Sequence, residues 1–303
     1  MTRLLTFILT SLMSLYGFDY QLKPVAVTEG IYCFFGKSEA PDTANNGNMV
    51  NSCFADMESG WLVIDSGPTY QYAKQAHEAV TKAYGSKPVT YVINTHLHDD
   101  HWLGNGFYKE LGATIIGSAH MKNAVDTAAT TRMERSISKE AFAGTQPVMP
   151  DIYVEDSYTF KMAQHSIEIK QLTGIAHTHG DLVVSLPLRN TVLVGDLCFS
   201  ESVLSLRDGD IKGWLEALEK LEAMEWDYLV GGHGRKTGKD ATHLTKSYLT
   251  ALLENVRAAI ADGVEIAEVT ETVAMDEFAE VPLYDELHKK NVFKAYQLLE
   301  WEE

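Results

Sequence analysis

The run THLHDDH, Thr95–His101, constrains this chain more than any other stretch. Directly before it, Val89–Asn94 is a β-branched run that predicts a strand. The cluster therefore opens a loop at a strand's end. Imidazole and carboxylate together suit Zn²⁺ and similar borderline ions. Alternation places His96 and His98 on one side, where both can hold one ion, while Asp100 and His101 turn toward a second position. A merely solvated polar loop has no need of four ligand-type residues at this spacing.

Three more sites fit the same scheme. His177 lies in GIAHTHGD (Gly174–Asp181), between two predicted strands. Asp196 ends the apolar strand VLVGD (Val192–Asp196), and His233 sits in VGGHG (Val230–Gly234), where a strand meets a glycine-rich turn. Strand ends along one sheet edge can converge in space however far apart they are in sequence.

The rest of the chain reads as alternating strands and helices. Strand-like runs are Ile31–Phe35, Met49–Ala55, Trp61–Asp65, Ser166–Gln171, Leu182–Leu186, Thr191–Val194 and Tyr228–Val230. Helical patterns cover Tyr70–Tyr84, Ile211–Met224, Ala241–Ala261 with Gly263 as its stop, and Asp285–Trp301. Ala119–Phe142 has few breakers and reads as largely helical. The pattern predicts one α/β domain with sheets inside and helices outside. Gly36–Asn48 is a long polar connection between two apolar runs, a candidate lid over the metals, and the Asp196–Gly209 segment is a candidate second wall.

The ordered set HxHxDH, HTxGD, GD and GGHG resembles the metallo-β-lactamase fold superfamily, over roughly Val25 to Gly234. The resemblance implies an αββα sandwich of two mixed sheets with helices outside. It implies His96, His98 and His177 as ligands of a first metal, and Asp100, His101 and His233 as ligands of a second. Asp196 would bridge the two ions, and Asp65 in VIDSG would support the histidine loop. Two Zn²⁺ ions per chain then follow, bridging a hydroxide that attacks a lactam, lactone, thioester, or sulfate or phosphate ester, with Asp100 orienting it. No GxSxG is present. The zinc β-lactamases that the chain resembles carry cysteine or serine at the position of Asp196, which weakens a dedicated antibiotic-hydrolase reading. The whole pattern is similar to periplasmic SoxH-type hydrolases. Two other readings are weighed: a mononuclear iron oxidoreductase resembling the persulfide dioxygenases, and a non-catalytic metal-binding scaffold. His179 has no assigned role. Trp102 fits either the pocket or the core.

Residues 1–17 read as a secretion signal, with Arg3 before an apolar run Leu4 to Leu15 and a turn-forming end at Gly17. That run is too short to span a bilayer, which needs roughly 20 residues. The expectation is a domain over residues 18–303 that is periplasmic or secreted and makes no stable membrane insertion once the signal is removed. A formal charge of −17 speaks against a phosphate-backbone partner, so a small-molecule substrate is expected and nucleic acid is not. Export would place Cys33, Cys53 and Cys198 in an oxidising compartment. Cys33 and Cys53 lie on neighbouring strand-like runs, where a disulfide and two buried thiols both fit; Cys198 reads as a buried free thiol.

Overall fold

The structure of the protein is a computed structural model that describes residues 18–123 and 131–301. The expected signal, residues 1–17, lies outside the described residues.

Two sheets face each other. The first has seven strands in chain order: β1 (Val25–Thr28), β2 (Ile31–Phe34), β3 (Ser52–Asp56), β4 (Trp61–Ile64), β5 (Val89–Asn94), β6 (Thr114–Ser118) and β7 (Ile152–Val154). It is antiparallel as far as β4 and parallel beyond. The second has five: β8 (Ser157–Met162), β9 (His165–Gln171), β10 (Leu182–Leu186), β11 (Thr191–Phe199) and β12 (Tyr228–His233). Its strands are antiparallel except for the parallel pair β11–β12.

Strand periodicity decides what each face buries. In β4, Leu62 and Ile64 point into the space between the sheets, against Ile169, Val184 and Leu193 of the second sheet. Trp61 and Val63 point the other way, onto α1 (Tyr70–Tyr84) and α3 (Asn105–Glu110) through Tyr72, Ala76 and Tyr108. The one-turn helix α2 (Asp99–Trp102) and the short α4 (Thr131–Ser136) and α5 (Lys139–Phe142) lie on that side. On the far side, α6 (Ile211–Glu222), α7 (His243–Ala261), α8 (Val269–Thr272) and α9 (Tyr284–Leu299) cover the second sheet through Trp214, Leu218, Leu249 and Val292. The result is the expected αββα sandwich. Among the described residues no helix is long and apolar enough to cross a membrane.

Among its described residues Ala119–Phe142 is largely helical, as expected, but in pieces: a 3-10 turn covers Ala119–Asn123, and Ser138 restarts the chain after α4 by capping α5, its hydroxyl accepting from the Ala141 N–H at 3.2 Å; residues 124–130 lie outside the described set. Two expectations are corrected. The strand carrying Asp196 does not end there but runs on to Phe199, and β12 runs on to His233. No strand is predicted from the sequence at β1, β6, β7 or β8; β7 has three residues, and β1 and most of β8 are exposed or half-buried.

Cys33 and Cys53 face each other across β2 and β3 and are joined in a disulfide. Cys198 is the buried free thiol, its pKa raised by burial.

Candidate metal centre

The two sheets meet their outer layers at one edge, and there the predicted residues converge. The first sheet brings His96 and His98 from the end of β5, with Asp100 and His101 on α2. The second brings His177 from the β9–β10 connection, Asp196 from β11 and His233 from the end of β12. They form two compact groups: His96, His98, His177 and Asp196 in one, and Asp100, His101 and His233 in the other. Within each group the candidate ligand atoms all lie within 4.8 Å of one another.

Asp196 faces both groups with different oxygens. Its Oδ2 is 3.2 Å from His177 Nε2 and 3.7 Å from His96 Nε2. Its Oδ1 is 3.1 Å from His101 Nε2 and 3.3 Å from His233 Nε2. Asp100 Oδ2 closes the second group, 3.8 Å from His101 Nε2 and 3.7 Å from His233 Nε2. The local backbone explains how a mid-strand residue reaches this position. Between Gly195 and Phe199 the register of β11 against β12 slips, and such an irregularity re-aims side chains. Gly195 takes φ +50°, and a Cβ on Gly232 would collide with the Asp196 carboxylate.

The outward nitrogens are held in place. His96 Nδ1 meets Thr95 Oγ1 at 3.0 Å, and His101 Nδ1 meets Asp65 Oδ2 at 2.8 Å. His98 is turned over: its Nδ1 faces inward, 2.8 Å from His177 Nε2, and its Nε2 meets Asp208 Oδ2 at 2.8 Å. His233 Nδ1 donates to the Met49 carbonyl at 2.7 Å. Asp65 also accepts from the Thr95 N–H and hydroxyl, both at 2.8 Å, which is the loop-supporting role expected of it. Only His177 lacks an outer partner; its ring rests on Trp214, with centroids 4.9 Å apart.

Electrostatics prepare these groups for a cation. Burial pulls the His96 imidazole well below its usual pKa and pushes His98 down to about 4, so both rings are neutral and can coordinate. Burial raises the Asp100 carboxyl, but Arg132, His101 and His233 more than offset it and hold it well below the usual carboxylate range. Asp196 is likewise held low, burial being outweighed by His233, His101, His96 and His177. Burial lowers His101, yet Asp196, Asp65 and Asp100 raise it well above 6.5. That pocket thus favours positive charge. His96 Nε2, His101 Nε2 and Asp196 Oδ1 are buried with no hydrogen-bond partner, all at the centre of the cluster. Orphaned donors and acceptors of this kind carry a desolvation cost unless something satisfies them. Divalent metal ions fit this donor set of imidazoles and carboxylates.

Several supporting residues were not foreseen. Arg132 on α4 donates to Asp100 Oδ1 at 2.6 Å and also grips Asp99. Asp208 holds His98 from the wall segment. Asn51 donates to the carbonyls of Gly231 (2.9 Å) and Gly234 (2.7 Å), clasping the His233 turn. These contacts join residues 32 or 33, 110, and 180 or 183 positions apart, and no local spacing marks them. Trp102 is fully buried in the core, its indole N–H on the Leu97 carbonyl at 2.8 Å. His179 is exposed beside His120. In the predicted lid, Lys37–Ala40 line a cavity of about 280 Å³ over the centre, joined by Met49 just past its end, while Asn45 and Asn46 are buried and tie the loop down. The segment after Asp196 forms the opposite wall, through Phe199, Val203 and Arg207.

A family model described as the metallo-beta-lactamase superfamily matches residues 45–233, and the chain belongs to that superfamily. Among solved structures it is similar to a metallo-beta-lactamase from Pontibacter korlensis, with 20% identity and a TM-score of 0.58, covering 76% of this chain and 99% of that one. It is similar to the metallo-beta-lactamase FIM-1 from Pseudomonas aeruginosa in a mono-zinc form, with 19% identity and a TM-score of 0.56, covering 76% and 95%. A double mutant of the sec-alkyl sulfatase PisA1 gives 17% identity and a TM-score of 0.71, covering 93% of this chain but only 51% of the sulfatase. The chain thus spans about half of the sulfatase's length.

Proposed function

We propose that this protein is an exported hydrolase that works with two zinc ions at this centre and acts on a small molecule. The observation that carries the reading is the Asp196 carboxylate, which gives one oxygen to each of two separate ligand groups. His96, His98 and His177 would hold one ion, and Asp100, His101 and His233 the other. Two such ions supply a hydroxide nucleophile at neutral pH and positive charge where a substrate oxygen becomes anionic. The chain's own part is positional. Asp100, ionised and braced by Arg132, would act as the catalytic carboxylate that orients the nucleophile. Phe199 and Met49 shape the entry. Lactams, lactones, thioesters and sulfate or phosphate esters are the substrate classes this chemistry covers. Superfamily membership supports hydrolysis, and the secretion-signal reading of residues 1–17 supports a periplasmic or secreted site of action. The acidic charge of −17 supports a partner other than nucleic acid.

The test is metal content per chain on protein lacking residues 1–17, combined with turnover of nitrocefin, a thioester, a lactone and an aryl sulfate. Two zinc ions with hydrolysis of any member supports the reading. One iron with oxygen uptake on glutathione persulfide would replace it with a dioxygenase, and bound metal with no reaction would leave a scaffold.

A further inference from the structure

The cavity over the metal centre has a wall that lies outside the residues matched by the superfamily model. Leu283, Glu286, Leu287 and Lys290, from the start of α9, line the cavity together with Phe199 and Val203. This wall is built in rather than draped on. The Asn291 side chain accepts from the Leu206 N–H at 2.9 Å and donates to the Leu204 carbonyl at 2.8 Å, and the Val203 N–H donates to the Pro282 carbonyl at 2.9 Å. Leu283, which enters α9, holds a left-handed backbone at φ +67°. A branched apolar residue rarely adopts that conformation, and it persists only where surrounding packing enforces it.

Two chemical characters meet in this cavity. Phe199, Val203, Leu283 and Leu287 give it an apolar cleft. Arg207 and Lys290 bring cations to it from two separate segments, on a chain whose net charge is −17. Arg207 is tied to Asp208, and Lys290 is exposed with no ion pair among the described residues. The carboxylates of the centre, Asp100 and Asp196, are turned to imidazoles and to Arg132 rather than to an incoming molecule. Two further acids line this cavity, Glu286 and Glu39, and Glu39 is paired with Lys37 at 3.8 Å. We infer that the site is built for an amphiphilic anion, with its charged group at Arg207 and Lys290 and its apolar part in the cleft between α9 and the Phe199–Val203 wall. The inference rests on the proposed function in treating this cavity as the substrate's way in.

Binding, not turnover, separates the two. Calorimetric titration of the metal-loaded protein with hexanesulfonate, hexanol and hexyltrimethylammonium reads the charge preference, and butanesulfonate reads the chain. Hexanesulfonate is expected to bind tightest and butanesulfonate more weakly, by about fourfold for each methylene that is fully buried. Lys290→Glu should weaken hexanesulfonate about fivefold and leave metal content unchanged. Leu287→Asn should weaken hexanesulfonate and hexanol together. Equal or tighter binding of the cation, no dependence on chain length, or a Lys290→Glu variant that binds as the parent does would each overturn the inference. The last result would place the anion on the metals themselves. If the sulfonate binds as expected while no ester, thioester or lactam turns over, the hydrolase reading fails and the recognition surface stands.

Discussion

Asp100 is the residue on which the proposed chemistry turns. Its two oxygens have separate tasks, one toward His101 and His233 and one accepting from Arg132. Asp100→Ala is expected to keep the fold, lose the second metal and abolish turnover; near-parental hydrolysis would remove the two-metal mechanism. Asp208 works at one remove, through His98 Nε2. Asp208→Ala should lower affinity for the first metal by about 10- to 100-fold, the usual cost of losing an outer partner of a ligating imidazole. Competition with a zinc chelator checks this, and an unchanged affinity would make the contact incidental. The ligand candidates were legible in the sequence because THLHDDH packs four of them into one strand-end loop, which tertiary structure has little freedom to rearrange. Asp208 and Arg132 were not legible. Each is an ordinary charged residue whose meaning comes only from a partner 110 or 32 positions away.

At the scale of elements, the β2–β3 connection does more than cover the site. Its far end carries Met49, whose carbonyl orients His233, and Asn51, whose amide clasps Gly231 and Gly234. Asn51 Oδ1 also accepts from the Gly36 N–H at 3.1 Å, closing the loop on itself. Asn51→Ala would strand two buried carbonyls and one N–H, a loss of about 2–4 kcal/mol. Urea unfolding reads that loss, and a change below about 1 kcal/mol would show that water replaces the amide without cost. The same geometry sets what a lid deletion would do. Asn45 and Asn46 bond the loop to itself and to the Ser138 N–H, so removing Asn45–Gly47 should cost stability as well as affinity. Sequence showed the loop because its polar, turn-forming composition is plain between two apolar runs. It could not show which half touches the cavity. Nor could it show β1 and β8, which bury little, β6, whose apolar run is only Ile115–Ile116, β7, which has three residues, or that β11 passes through Asp196 instead of stopping there. That last point depends on a register slip, which only the pairing with β12 creates.

Across the whole molecule, the notable feature is that each ligand group draws on both sheets. His96 and His98 come from the first, His177 and Asp196 from the second; Asp100 and His101 come from the first, His233 from the second. The apolar layer between the sheets holds them together below the centre, but at the metal edge the facing groups are imidazoles and carboxylates with orphaned inward atoms. An ion bound there joins the two halves of the sandwich, and an ion that binds only the folded chain stabilises it by mass action, by about 2.7 kcal/mol at a hundredfold excess over Kd. At about 2–4 °C per kcal/mol, one such ion raises the melting temperature of the stripped protein by roughly 5–10 °C, and two independent ions raise it further. Because Asp196 gives an oxygen to each group, Asp196→Asn should cut the zinc-induced rise for both ions, where Asp100→Ala cuts only one. Calorimetric melts of the stripped and zinc-loaded forms of the three proteins decide this. A full zinc-induced rise in Asp196→Asn would show that the two halves are joined without the bridge, and that the carboxylate's double contact is packing rather than coordination.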